Sequence, residues 1–237
     1  MQNLTVIIPF YNEKDFLLES VKRVLSLNIF EGIILSDDCS NDGSEVIAKK
    51  LADENLNVIY IKSNKNQGKG SAINLAKNYI NTSHVVIHDA DLEYFPKDID
   101  EMFSVSKKHP ESLILGSRFI GKKERTNVYL RTLIANRTMS LFFSFINFYY
   151  VSDVATCYKL MPTTFFKEIT LKEKGFSIEI EILSKFLKFN RSIREVPIKY
   201  EGRSYEEGKK IKLIDGIMYL INTIKYKIYW PFHCLIL

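Results

Sequence analysis

The chain of 237 residues is 46% hydrophobic and 26% charged, enough apolar material to bury a real core in one sizeable domain or two small ones. Its formal charge of +5 is uneven: residues 1–118 carry 13 Lys and Arg against 17 Asp and Glu, and residues 119–237 carry 20 against 11. The basic back half suits anionic lipid or a phosphate-bearing substrate; nucleic acid is excluded for want of an aromatic and basic platform or a helix-turn-helix signal.

The chain opens into strand-like residues with no basic n-region, so no signal peptide is expected. The apolar run 4–8, stopped by Pro9, reads as a strand covered on both faces. Phe16, Leu17, Val21, Val24 and Leu25 follow at helical spacing, with Glu13 and Asp15 at the end where the helix dipole favours acids. The unit returns as strand 32–35 with a helix from about Asp42, strand 58–61 with a helix near Gly68, and strand 85–87 with a helix after Pro96. This alternation predicts an α/β fold: a mostly parallel sheet flanked by helices. Ligands of such sheets bind outside the carboxyl ends of the strands. Four polar clusters fall there: PFYNE (9–13), DDCSNDGS (37–44), SNKNQGKG (63–70) and DADLEYFP (89–96).

Residues 113–115 form a further strand, and 129–151 read as a helix that is apolar nearly all round in its second part. No stretch reaches the roughly 18 apolar residues of a membrane span, so that helix is buried or interfacial. A strand-like 153–161, a helix from Pro162, the segment GFSIEIEILSKFLKF and a strand 192–200 follow. The last stretch predicts a basic amphipathic helix with Ile211, Ile214, Met218, Ile221 and Ile224 on one side, docked on its own domain or on a membrane. Cys39, Cys157 and Cys234 lack CxxC spacing, which argues against zinc or a disulfide scaffold and for a reducing compartment.

Chemistry concentrates at 84–96. Asp89 and Asp91, two apart at an extended strand end, project to one side with Glu93 beyond them. Such crowded hard oxygens favour Mg²⁺ or Mn²⁺; a solvated acidic turn is the plain alternative. Gly68, Lys69 and Gly70 stand where a strand hands over to a helix, and free N–H groups with a lysine suit a diphosphate as well as an ordinary loop. Asp37 and Asp38 can accept from a nucleobase or ribose; for Asp37 an Asx turn with Ser40 and Asn41 is equally open. His84 and His88 lack a third ligand for zinc.

In this order, PFYNE, DDCSNDGS, NQGKGSAIN and DADLEYFP resemble the family 2 glycosyltransferases of GT-A fold, especially the dolichol-phosphate mannosyltransferase-like branch. The resemblance continues through GSRF, SDVATCYK, FSIEIEI and EVPIKYEGRSYEEGKKIKLIDG, nearly to Gly216. It implies a Rossmann-like GT-A domain over 1–210 and an amphipathic, membrane-interfacial segment over 211–237. Pro9, Tyr11, Glu13 and Asp38 would hold the base and ribose, and Lys69 would lie near the diphosphate. Asp89 and Asp91 would bind the metal bridging it, with Glu93 placed to complete the coordination. Arg118, Arg203 and Ser204 would meet phosphates of donor or acceptor. Two positions depart from the pattern: Cys39 stands where glycine is commoner, and the late loop reads EGKK rather than GESK.

The implied activity is metal-dependent, inverting transfer of a sugar from a UDP- or GDP-sugar. Two acceptors stay open. A polyprenyl (dolichyl- or undecaprenyl-type) phosphate is already an anion and attacks unaided, whereas a saccharide hydroxyl needs a base. Asp153, Glu179 and Glu181 are the candidates for that base; the alternative is solvation or pairing, Glu181 with Lys185 for instance. The basic half and the apolar helices together place the enzyme at the cytoplasmic face of a membrane, in peripheral contact with it.

Overall fold

The structure, a computed structural model, describes residues 2–189, 192–203 and 213–228. Strand β1 (Leu4–Phe10) is buried along its length, as its unbroken apolar run requires. Leu4, Val6 and Ile8 enter the core on one side of the sheet and Ile7 enters the core on the other, the two-residue period of a strand. The expected alternation follows: α1 (Leu17–Leu25), β2 (Gly32–Asp37), α2 (Ser44–Glu54), β3 (Val58–Lys62), α3 (Lys69–Ala76), β4 (His84–Ile87) and α4 (Lys97–Lys108). β1 runs parallel to β2 and β4, and β2 to β3, so the carboxyl ends of β1, β2, β3 and β4 share one edge.

The second half completes the sheet: β5 (Leu113–Ser117), β6 (Arg125–Thr126), α5 (Leu130–Asn147), β7 (Lys159–Pro162), α6 (Thr163–Glu168), α7 (Ile178–Lys188), β8 (Ile193–Pro197), β9 (Tyr200–Glu201) and α8 (Leu213–Ile228). The described residues form a seven-stranded sheet in the order β3-β2-β1-β4-β7-β5-β8 and a small β6-β9 ribbon. Only β7 is antiparallel to its neighbours in the large sheet. Of the strand-like 153–161, just the last three residues enter β7; what precedes them is a loop.

The C-terminal helix exists, but its packing face is not the apolar one. Ile217, Met218, Ile221, Ile224 and Ile228 are exposed, while Tyr219, Asn222, Thr223 and Tyr226 are buried. Polar anchors explain this. Tyr219 donates to the Phe176 carbonyl at 2.9 Å, and Asn222 and Tyr226 donate to the Glu173 carboxylate at 3.1 and 2.7 Å. Beside α8 lies α5, whose Leu141 and Phe145, with Phe148 just after its end, are also exposed. Lys227 Nζ stands 5.4 Å from the Phe148 ring, joining the two faces. Ile211, Trp230, the 210/211 boundary and the side chain of Ile214 lie outside what is described. No helix among the described residues is long and apolar enough to cross a membrane.

Candidate active site

The strand ends are knitted into one rim. Asn12 and Glu13 donate backbone N–H groups to the hydroxyls of Ser40 and Ser44, and Asn41 N–H returns a bond to the Asn12 side chain. Asn12, Cys39 and Leu92, after β1, β2 and β4, hold left-handed φ angles of 52°, 69° and 63°. Such backbone costs non-glycine residues energy and gathers at functional sites. It also explains why glycine is commoner at position 39 in the family that the sequence resembles.

Inside the rim is a cleft with a volume of about 240 Å³, lined among others by Pro9, Tyr11, Glu13, Asp38, Lys69, Asp89, Asp91, Glu93 and Arg203. These nine predicted site residues are thus brought together, with Gly68 and Glu179 beside them. Each of the two aspartates already has a basic partner: Lys69 Nζ is 2.7 Å from Asp89 Oδ1, and an Arg203 terminal nitrogen is 3.2 Å from Asp91 Oδ2. Burial, with Glu93 and Asp89 nearby, pushes the Asp91 carboxyl up to about 8 despite Arg203. Arg203 also reaches Glu13 at 3.3 Å, and its buried Nε has no hydrogen-bond partner among the described residues.

Glu93, on the cleft wall, has both carboxylate oxygens engaged. It accepts from the Tyr200 hydroxyl at 2.7 Å and the Arg203 backbone N–H at 2.8 Å, tying β9 to the acidic loop. Among the described residues no three His, Cys, Asp or Glu side chains are arranged to cage an ion, so Asp89, Asp91 and Glu93 do not form the expected three-carboxylate set. Two hard carboxylates on one lip still fit Mg²⁺ or Mn²⁺, ions that commonly take one or two carboxylates and complete their shell with water and substrate phosphate.

The glycine loop differs from the phosphate cradle that its composition suggests. Gly70 and Ser71 donate their N–H groups to the Lys174 carbonyl at 2.6 and 3.2 Å, so the start of α3 is capped by protein. Gln67 and Gly68 N–H groups go to the Asp38 carboxylate. Glycine is required because a Cβ on residue 70 would stand 2.2 Å from the Glu173 carbonyl oxygen. Lys69 alone of this loop offers a charge to the cleft. Asp37 makes the Asx turn, accepting from Ser40 N–H at 2.7 Å and from the Tyr60 hydroxyl at 3.0 Å.

Arg118, Asp153 and Glu181 do not line the cleft. Arg118 grips Asp153 with two side-chain nitrogens at 2.7 and 2.8 Å, and both residues are buried. Glu181, also buried, takes the ammonium of Lys185 and the N–H groups of Lys172 and Glu173. Glu179 does line the cleft, yet one oxygen holds Lys69 at 2.8 Å and the other Lys159 at 2.5 Å. Ser204 lies outside the described residues. His84 and His88 are core groups: His84 meets the Pro110 carbonyl, and His88 lies between the hydroxyls of Ser20 and Tyr158. Tyr94 and Phe176 of the cleft wall, and Lys159 behind it, lie inside the motifs DADLEYFP, FSIEIEI and SDVATCYK without any role having been read for them, and Tyr219 of the wall carried no signal.

Comparison with known proteins identifies the family and the fold. The family model "Glycosyl transferase family 2" matches residues 5–170. The chain is 28% identical over 239 residues to a UDP-N-acetylglucosamine--dolichyl-phosphate N-acetylglucosaminyltransferase of Methanococcus voltae, covering 93% of this chain and 95% of that one. It is 28% identical over 231 residues to an undecaprenyl-phosphate 4-deoxy-4-formamido-L-arabinose transferase of Edwardsiella ictaluri, covering 94% and 66%. Among solved structures, glucosyl-3-phosphoglycerate synthase of Mycobacterium tuberculosis with UDP superposes with a TM-score of 0.72 at 15% identity, over 97% of this chain and 81% of that one. The same enzyme with Mn²⁺, UDP and glucosyl-3-phosphoglycerate gives 0.68 at 16% identity, over 97% and 81%. The chain belongs to glycosyl transferase family 2 and is a glycosyltransferase with a GT-A fold.

Proposed function

We propose that this enzyme moves a sugar from a nucleoside-diphosphate sugar to a polyprenyl phosphate, inverting the anomeric centre, at the cytoplasmic face of a membrane. One observation carries the choice of acceptor: each candidate base is already bound. Asp153 is bound by Arg118, Glu181 by Lys185 and two backbone N–H groups, and Glu179 by two lysines. A saccharide hydroxyl would need such a base; a phosphate acceptor is an anion at neutral pH and does not. The relatives from Methanococcus voltae and Edwardsiella ictaluri, named for dolichyl and undecaprenyl phosphate, support the same choice.

On the donor side, Pro9, Tyr11, Glu13 and Asp38 would hold the base and ribose. Asp89 and Asp91 would hold Mg²⁺ or Mn²⁺, which when bound offsets the negative charge that gathers on the departing diphosphate. Lys69 and Arg203, one at each aspartate, bring positive charge to the same place, and the Arg203 Nε, 4.0 Å from Glu93 and without a hydrogen bond among the described residues, suits a phosphate oxygen. The exposed apolar faces of α5 and α8, next to Lys188 and Lys227, suit docking on anionic lipid, where a polyprenyl phosphate resides.

The test is transfer of radiolabel from UDP- and GDP-sugars to undecaprenyl phosphate, to the neutral polyprenol and to oligosaccharides. Label reaching only the phosphate supports the reading. Equal or better labelling of a hydroxyl acceptor overturns it.

A further inference from the structure

Behind the cleft runs a line of alternating charge whose inner half, Glu179 and Lys159, the mechanism above leaves unused. Asp89 at the lip is followed by Lys69, at 2.7 Å; Lys69 by Glu179, at 2.8 Å; and Glu179 by Lys159, at 2.5 Å. Exposure falls along it, from 21% for the Asp89 side chain to 12% for Lys69, 2% for Glu179 and zero for Lys159. Lys159 lies in β7, and its ammonium also donates to the carbonyl of Thr156, which fixes the inner end to the 152–157 loop. Glu179 lies in the first turn of α7, where the helix dipole favours an acid. The Glu179 carboxylate of α7 thus joins Lys69 of α3 to Lys159 of β7.

We infer that Glu179 and Lys159 are positioning residues that set how far the Lys69 ammonium reaches toward the acidic pair and the diphosphate; this rests on the nucleotide-sugar reading above. A lysine has a long flexible stem and no preferred bearing of its own. Given Asp89 alone, Lys69 would settle wholly on that carboxylate and compete with a cation for it. Given Glu179 without Lys159, a buried carboxylate would have Lys69 as its one ammonium and would draw it inward. With both, the ammonium is shared between the lip, where it stands 2.7 and 3.0 Å from the two Asp89 oxygens, and the interior, where Glu179 holds it at 2.8 Å, so only part of its charge falls on Asp89. Such buried pairs are replaceable by apolar side chains where stability alone is at stake, so their use here is a matter of orientation.

The test is a double-mutant cycle on nucleotide binding, read by calorimetry with Mn²⁺ and whichever of UDP or GDP the wild type takes. Lys69→Met and Glu179→Gln should each weaken binding, by about tenfold or more, and the double variant should bind no more weakly than Lys69→Met alone, because Glu179 acts only through that lysine. Should Glu179→Gln fail to fold, Lys159→Met/Glu179→Gln removes both charges without orphaning either and should show the same loss. An unchanged affinity in a folded Glu179 variant overturns the inference and spares the nucleotide-sugar reading. So does a double variant whose loss equals the sum of the singles, the mark of a merely structural residue. A wild type that binds neither nucleotide overturns the reading and the inference with it.

Discussion

Replacing Ile221 and Ile224 by glutamate should detach the enzyme from anionic membranes while leaving its fold intact. Both side chains are directed outward, 52% and 42% exposed, between the further exposed residues Ile217, Met218 and Ile228. Full burial of an isoleucine contributes about 1.5–3 kcal/mol, so side chains already half covered would gain about 1 kcal/mol each on entering the lipid interface. Losing two removes about 2 kcal/mol, and two carboxylates near an anionic surface add repulsion of about 1 kcal/mol each. The total of about 4 kcal/mol is nearly a thousandfold in the partition coefficient. The assay is flotation with vesicles rich in anionic lipid, beside neutral vesicles and beside the same mixture at high salt, which screens the charge contribution. The melting temperature should barely move, since surface substitutions usually cost under 0.5 kcal/mol in either direction. Wild-type protein that fails to float, or a variant that floats as well, would refute the reasoning.

Gly70→Ala should destabilise the protein by about 3 kcal/mol, through two lost backbone hydrogen bonds and an overpacked contact at the 173–174 backbone. Gly175→Ala, with nothing within 4 Å, should be near neutral; urea denaturation compares the two. Asp153→Asn, which leaves Arg118 buried without a counter-charge, should cost about 3–5 kcal/mol, seen as a melting point lowered by about 10 °C, and Arg118→Met/Asp153→Leu should recover most of it. Burial pushes His88 down to about 3, so the folded protein favours the neutral ring. Its contribution is therefore complete above pH 6.5 and fades as pH falls toward 3. Between pH 6.5 and 5 that amounts to about 2 kcal/mol, a slope that His88→Gln should remove from melting curves.

Much of the architecture was legible because it rests on local signals. Buried parallel strands announce themselves as short apolar runs, and the polar clusters after them fall on one edge whatever the details of pairing. What was not legible depends on partners far away in sequence. Nothing local says that Asp153 meets Arg118, 35 positions earlier, or that Glu179 holds two lysines. The spacing of Gly68, Lys69 and Gly70 fits a phosphate cradle and equally fits room for a passing backbone, and the structure uses the glycines for the second. The apolar face of α8 was legible but not what it meets, the protein or a membrane, because the docking is carried by Tyr219, Asn222 and Tyr226, whose hydrogen-bond partners lie far away in sequence. β7 enters between β4 and β5 against the direction of its neighbours, and sequence order does not encode that.

The most direct test of the account is calorimetric titration of UDP and GDP, each with Mn²⁺ and with EDTA, into wild type and into Asp89→Asn/Asp91→Asn. The account predicts that wild type binds one nucleotide at least about tenfold more tightly with the metal, and that the double variant keeps its fold and loses the metal effect. Equal affinity with and without the ion, or a metal effect that survives the double substitution, would contradict it.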